Sequence, residues 1–540
     1  MAAAVRVPRG VDRRTGVRKG AGTIVDRKVS HVTTTSGSGV YTTAEGLGEK
    51  SKLQRHFRRI DMLLFTVCAL VGLDTLGQVS GYGASTFSWL VLLAIFFLFP
   101  YALIMAELGT TFAQEGGPYE WMKLAWGRAW GGVGSVLYWI TNPLWVGGSL
   151  AFLSTDAWSS NIHPIGSGTF GDYAFKFVFI WISIIVAIVS LRRGKWIPNL
   201  GALVRIGVLA FFSITVLIYA IEHGVHGYAV GNFNPFQLTA FLGLVPLLLF
   251  NYVGFELQNG AAEEMVDPQK DVPGTVIQGA AISTLAYCIP VFGILAVLPS
   301  NKITGISGFL DAVHTTFGVY GGAGNFLVDV MVFGFIFALV TSGSVWMMGS
   351  DRVQAVAAYD GAFFPWFGRF NAKLGTPVRV NILSGIVSTA FMIAAVNLSS
   401  GNSGNTFKVV LYLATSTTLL SYLLIFTAAL KLRYSYPNVE RPYRVPGGMA
   451  GMWLVVSLTT GWMALGSWVA IFPGTLERLL GKSYSIQGAY GVSRMRFEVF
   501  TLGTLAIIVL IGVAGYIAGA KVRAETVEVG ARAVTDGSVS

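Results

Sequence analysis

The chain has 540 residues, 53% of them hydrophobic and only 12% charged, with a mean hydropathy of +0.61. Soluble domains carry roughly 25% charge, so this composition excludes a water-soluble enzyme and predicts an all-α integral membrane protein. The formal net charge of +11 does not argue for a nucleic-acid partner, because thirteen Lys and Arg residues precede position 60, ahead of the first apolar segment, where they read as a topology signal.

In chain order, residues 1–59 are rich in Arg, Ser, Thr and Gly and hold no apolar run of the length a secretory signal needs. They are expected to form a disordered basic cytoplasmic tail. Asp12, Asp26, Glu45 and Glu49 weigh against an organelle transit peptide, which is poor in acids. Twelve apolar segments follow, at about 61–85, 87–109, 131–158, 174–191, 197–221, 238–259, 275–298, 324–350, 379–397, 406–430, 450–473 and 497–520. A membrane-crossing helix takes about 20 residues, so these are spans 1 to 12 of a transporter-sized domain, 60–520. A cytoplasmic tail, 521–540, is expected after it. With both termini cytoplasmic, most Lys and Arg fall on inner segments. Outer loops hold Lys176, Lys302, Lys408, Arg478, Lys482, Arg494 and Arg496, and Arg205 lies within span 5. An Arg-rich inner tail and no targeting signal fit a plasma membrane.

Cys68 and Cys288 lie in apolar runs and the six histidines in tails or connecting loops, so disulfide frameworks, haem ligation and histidine metal clusters are not expected and no cofactor is implied. No G-x-x-x-x-G-K-[ST] stretch is present to bind a nucleotide.

Two spans are interrupted by glycine and polar residues. Span 1 reads CALVGLDTLGQVSGYG from Cys68, and span 6 reads LLLFNYVGFELQNGAAEE from Leu247. Broken helices five spans apart fit a five-plus-five inverted repeat, here about 61–221 and 238–430, with spans 11 and 12 (about 450–520) outside it. Opened backbone is tolerated at membrane depth only where it lines a cavity.

Three stretches carry a resemblance: PYALIMAELGTTFAQEGGPYEWMK from Pro100, LLFNYVGFELQNGAAEEMVDPQKDVPGTV from Leu248, and GSDRVQAVAAYDGAFFPWFGRFNAKLGTPVRVN from Gly349. Together they resemble the amino acid permeases of the amino acid–polyamine–organocation superfamily. The resemblance implies the twelve-helix inverted-repeat fold and secondary active transport of amino acids or related amines. One departure stands out. Where many members have small residues whose N–H groups hold a substrate carboxylate, this chain has GLDTLGQ, Gly72 to Gln78, with an acid in the middle.

The substrate-binding candidates are therefore Gly72, Asp74, Thr75 and Gly77 in span 1 and Asn251, Tyr252, Gly254, Phe255 and Glu256 in span 6. Charged groups at membrane depth are costly and need a reason, which makes Asp74, Arg205 and Glu256 the coupling candidates. Glu256 has two readings, a ligand for a substrate ammonium or proton, or a lock on the unwound turn. Asp74 either holds a substrate amine, cation or proton, or pairs with Arg205 or caps a half-helix. The resemblance suggests that Arg205 stands where sodium-coupled cousins bind a cation; its guanidinium cannot shuttle a proton, and snorkelling to the interface is the other reading. Thr341, Ser342 and Ser344 of span 8 are a possible cation site, or simply packing hydroxyls. Tyr138–Pro143 and Leu413–Thr418 are expected to face the cavity, and Trp145 to form a gate or pocket wall. Glu263, Glu264, Asp267, Lys270, Asp271, Arg352 and Asp360 offer charge pairs for an inner gate.

The expected function is a permease moving amino acids by alternating access, driven by protons or an exchanged solute. Two alternatives remain, a polyamine or amine transporter of the same fold and a non-transporting amino acid sensor.

Overall fold

The computed structural model describes residues 40–190, 196–225, 228–236, 238–299, 302–303, 308–398 and 403–529. Residues 1–39 and 530–540 of the two expected tails lie outside the described residues. Among the described residues eleven helices are long and apolar enough to cross a membrane. The twelfth crossing is span 1, which that criterion passes over because it is split into Arg59–Leu70 and Leu76–Ser80.

Span 2 covers Ala84–Thr111, span 3 Arg128–Asn161, span 4 Phe170–Val189 and span 5 Trp196–His223. Span 6 is an α-helix, Leu238–Asn251, followed by a tight 3-10 helix, Phe255–Glu264. Span 7 is Pro268–Val297, and a short helix Gly308–Phe317 leads to span 8, Gly324–Tyr359. Spans 9 to 12 are Val378–Leu398, Ser403–Ser435, Gly448–Ile471 and Arg494–Ala518.

The packing carries the five-plus-five repeat. Span 3 packs on span 10 as span 8 packs on span 5, and span 8 packs on span 4 as span 3 packs on span 9. Span 7 lies on span 1 as span 2 lies on the second half of span 6. Adding or subtracting five turns each pair into its counterpart, which is the relation an inverted repeat imposes.

The ends depart from expectation. Residues 40–59, expected to be a disordered tail, are folded. Val40–Thr43 forms a strand antiparallel to Thr526–Val529, with Val40 opposite Val529 and Thr43 opposite Thr526. Thr43 then caps the helix Ala44–Lys50, its hydroxyl accepting from the Gly46 N–H at 3.1 Å. The polar composition of 1–59 hid a β-prone VYTT followed by a good N-cap, whose partner strand lies nearly five hundred residues away. Likewise the expected C-terminal tail begins inside the helix Ala520–Ala524. Because the two strands pair, both ends of the described chain sit on one face, as an even number of crossings requires.

Candidate functional site

The site is built at the two breaks, and side chains from other spans cap the backbone they release. In span 1 the last helical turn frees four carbonyls. Trp346 Nε1 donates to Ala69 O at 3.0 Å and the Tyr287 hydroxyl to Leu70 O at 2.8 Å. Arg205 Nη1 donates to Cys68 O at 2.5 Å and Val71 O at 2.6 Å. The same Tyr287 oxygen accepts the Gly72 N–H at 2.9 Å. In span 6, Gly254 has φ 135°, a left-handed-side conformation that favours glycine, and a Cβ there would stand 3.1 Å from the Trp346 ring. The N–H groups of Gly254 and Phe255 both donate to the Tyr101 hydroxyl at 3.0 Å. Buried backbone in the membrane has to be satisfied in this way.

Between the breaks lies a small cavity of about 20 Å³, lined by Ala69, Leu70, Gly72, Asp74, Trp145, Phe250, Asn251, Tyr287 and Trp346. That is room for about one water molecule. Asp74 is 3% exposed; its Oδ2 accepts from Trp145 Nε1 at 3.0 Å. Its Oδ1 lies over Gly72, where an added Cβ would meet it at 2.5 Å. Asn251 is buried and its Nδ2 has no partner. The rings of Phe250 and Trp346 stand edge-on to Trp145, with centroids 5.8 and 6.3 Å away.

Arg205 is fully buried behind the span 1 break. Besides the Cys68 and Val71 carbonyls, Nη1 donates to Ser342 Oγ at 3.0 Å. Nη2 reaches Ala338 O, Thr341 Oγ1 and Cys68 Sγ, each at 3.1 Å, and Nε reaches Gly201 O at 3.1 Å. The guanidinium thus sits in a cluster of carbonyl and hydroxyl oxygens and one thiol, with no carboxylate among these partners. Ser344 lies elsewhere, its hydroxyl donating to Ser183 O at 3.0 Å and Val340 O at 2.8 Å.

On the termini side of the cavity two polar layers follow. Glu256, fully buried, accepts through Oε1 from the hydroxyls of Tyr138 and Tyr422, each at 2.6 Å, and through Oε2 from Tyr101. Its carboxylate therefore ties span 6 to spans 2, 3 and 10. Nearer the termini, buried Arg352 donates through Nη1 to Glu115 at 2.6 Å and Glu264 at 3.1 Å, and through Nη2 to Gly375 O at 2.6 Å. Burial, with the Glu264 and Glu263 carboxylates, pushes the Glu115 carboxyl up to about 8 against the pull of Arg352. Lys50 of the terminal helix pairs with Glu263 at 2.5 Å, and Arg128, Lys123 and Tyr119 converge on Asp360. Asp267 instead caps span 7, accepting from the Lys270 N–H at 3.3 Å, and Lys270 and Asp271 stay outside the cluster.

A family model described as amino acid permease matches residues 57–492. The chain belongs to the amino acid permease family. It is similar to a "Probable agmatine/putrescine antiporter" of Lactococcus lactis, 29% identical over 72% of this chain and 82% of the relative. It is also similar to a branched-chain amino acid permease of Bacillus subtilis, 24% identical over 77% of this chain and 90% of the relative. Among solved structures, a manganese transporter of Eremococcus coleocola shares the fold, with a TM-score of 0.55 at 11% identity, covering 86% of this chain and 94% of that one. This permease is accordingly a multi-pass secondary transporter rather than an enzyme.

The structure brings together only part of the expected site. Gly72, Asp74 and Asn251 line the cavity. Thr75 is buried beside it with an unpartnered hydroxyl, and Gly77 packs against the Gly308 backbone. Tyr252 turns away, its hydroxyl donating to Leu90 O at 2.9 Å, while Phe255 packs on the Tyr101 ring at 4.9 Å. Trp346, Tyr287, Tyr101 and Tyr422 were not singled out by sequence. Their contacts cross between spans, and an aromatic residue in an apolar segment gives no signal of them.

Proposed function

We propose that this permease carries amino acids and related small amines by alternating access, holding the solute in the cavity between Asp74 and Asn251. Spans 1, 2, 6 and 7 rock against spans 3, 4, 8 and 9, and the cavity widens to admit the solute. The reading rests on one observation above the rest, a carboxylate and an unpartnered amide buried together at the junction of two broken helices.

Proton coupling or exchange fits better than sodium coupling, because the permanently charged Arg205 already fills the oxygen cluster beside the break. The Glu256 node and the Arg352–Glu115–Glu264 cluster act as successive closures toward the termini face, which we place in the cytoplasm of a plasma membrane. In proteoliposomes, pooled labelled amino acids and amines are expected to enter without ATP, faster with an inward proton gradient or with unlabelled solute inside, and without regard to sodium. Sodium-dependent uptake contradicts the coupling assignment. Uptake no greater than in protein-free vesicles contradicts the carrier assignment.

A further inference from the structure

We infer that the cavity selects an organic cation lacking a carboxylate, a primary amine or guanidine, over an α-amino acid. This deepens the transporter reading above and rests on it.

The charge balance of the cavity carries the argument. Among its lining residues Asp74 alone bears a formal charge, and none is basic. Arg205, the nearest candidate counter-ion in span 5, directs its guanidinium into carbonyls, hydroxyls and a thiol behind the break. Arg205 acts on Asp74 only as a charge that makes no direct ion pair with it, and a substrate ammonium or guanidinium supplies the contact partner that the buried carboxylate lacks.

Three of the backbone donors that the breaks would offer an α-carboxylate are already used. The Gly72 N–H goes to Tyr287, and the Gly254 and Phe255 N–H groups go to Tyr101. Asp74 Oδ1 itself lies over Gly72, on the opened backbone of span 1. A substrate carboxylate brought there meets a like charge at close range in a water-poor site, where two carboxylates do not both stay ionised without cost. The Asn251 amide and the Thr75 hydroxyl are left as unpartnered donors, and both are neutral groups set against that repulsion.

The walls favour a cation as well. Trp145, Trp346, Phe250 and Tyr287 surround Asp74, and ring faces attract ammonium and guanidinium groups, tryptophan most of all. Trp145 serves both ends, fixing the carboxylate through its indole N–H and presenting its ring to the cavity. An acid among aromatic walls recognises the charged nitrogen end of an amine, and the rest of the molecule is left to the space that opens around it.

Pairs of solutes differing only by the α-carboxylate test this: cadaverine against lysine, agmatine against arginine, isoamylamine against leucine. Full-length protein is reconstituted for uptake and competition, and binding is read in parallel from the tryptophan fluorescence to which Trp145 and Trp346 contribute. The amine of each pair is expected to act at a concentration about tenfold or more below that of its amino acid. Asp74→Asn is expected to weaken the amines and narrow that gap. Amino acids that bind as well as their amines, or better, overturn the inference. Transport of amino acids with amines ignored overturns it while leaving the carrier intact. Amines that bind selectively without flux leave the selectivity standing and overturn the carrier reading, and folded wild-type protein that neither binds nor moves any of the six overturns both. If Asp74→Asn does not fold, the wild-type pairs decide the matter alone.

Discussion

Replacing Arg205 by alanine removes the group that satisfies the backbone behind the span 1 break. Two carbonyls, of Cys68 and Val71, lose donors that stand 2.5 and 2.6 Å away, while Ala338 O keeps the Thr341 hydroxyl at 3.1 Å. Each buried acceptor left unpaired costs about 1–3 kcal/mol, so roughly 2–6 kcal/mol is at stake if nothing rearranges. The Thr341 hydroxyl has a second partner, Phe337 O at 3.0 Å, and adds little. Against this, the variant no longer buries a guanidinium, a desolvation cost of several kcal/mol. We expect the balance to fall at the low end, a net loss of about 2 kcal/mol, because the cation is matched by seven polar partners and its removal strands the Cys68 and Val71 oxygens. Thermal unfolding in nanodiscs, followed by tryptophan fluorescence, is the assay. Arg205→Lys, with three donors, is expected to lie between wild type and Arg205→Ala. The oxygens of Cys68, Val71, Ala338, Thr341 and Ser342 also form a ligand set suited to a hard cation. Sodium is therefore expected to raise the melting temperature of Arg205→Ala and leave wild type unchanged. An alanine variant as stable as wild type and indifferent to sodium would refute the reasoning.

Three further outcomes are expected. Glu256→Gln turns one acceptor oxygen of the tyrosine node into a donor facing a hydroxyl; hydrogen bonds to a charged group contribute about 1.5–3 kcal/mol, so initial uptake rates should fall at least about tenfold in protein that still elutes as a folded species. Arg352→Ala leaves the buried Glu264 carboxylate without its cation and Glu115 without its donor, and should lower stability by about 3–5 kcal/mol, measured as a drop in melting temperature. Glu115 holds its proton more tightly folded, at about 8, than at its ordinary value of 4.5. Its contribution is therefore favourable at low pH and is lost as pH rises between those values. Melting temperature should decline across that window, and Glu115→Gln, which stays neutral, should flatten the decline; an unchanged slope counts against the assignment.

Much of the architecture was legible because the membrane leaves few options. Apolar runs of about 20 residues must be spans, and glycines beside polar residues at Gly72–Gly77 and Gly254–Glu256 mark where helices open. The site was legible only in part. Asp74 and Asn251 stand out by chemistry, but the fate of Glu256 depended on Tyr101, Tyr138 and Tyr422 from three other spans, a convergence that spacing along the chain does not encode. No direct ion pair joins Asp74 to Arg205, the pairing considered from sequence: Asp74 accepts from Trp145, and the guanidinium is taken up by the Cys68 and Val71 carbonyls and the Ser342 and Thr341 hydroxyls. The folded arm Val40–Lys50 was missed because its strand is stabilised by Thr526–Val529 at the other end of the chain.

Alternating access to the cavity is the central claim, and it is tested most directly by a single cysteine at Asn251 in a Cys68→Ser, Cys288→Ser background. Membrane-impermeant thiol reagents are applied to each face of oriented vesicles, with and without transported solute. Modification from both faces, slowed when solute fills the cavity, is the predicted result. Modification from one face alone under every condition would contradict a carrier that exposes this site to each side in turn.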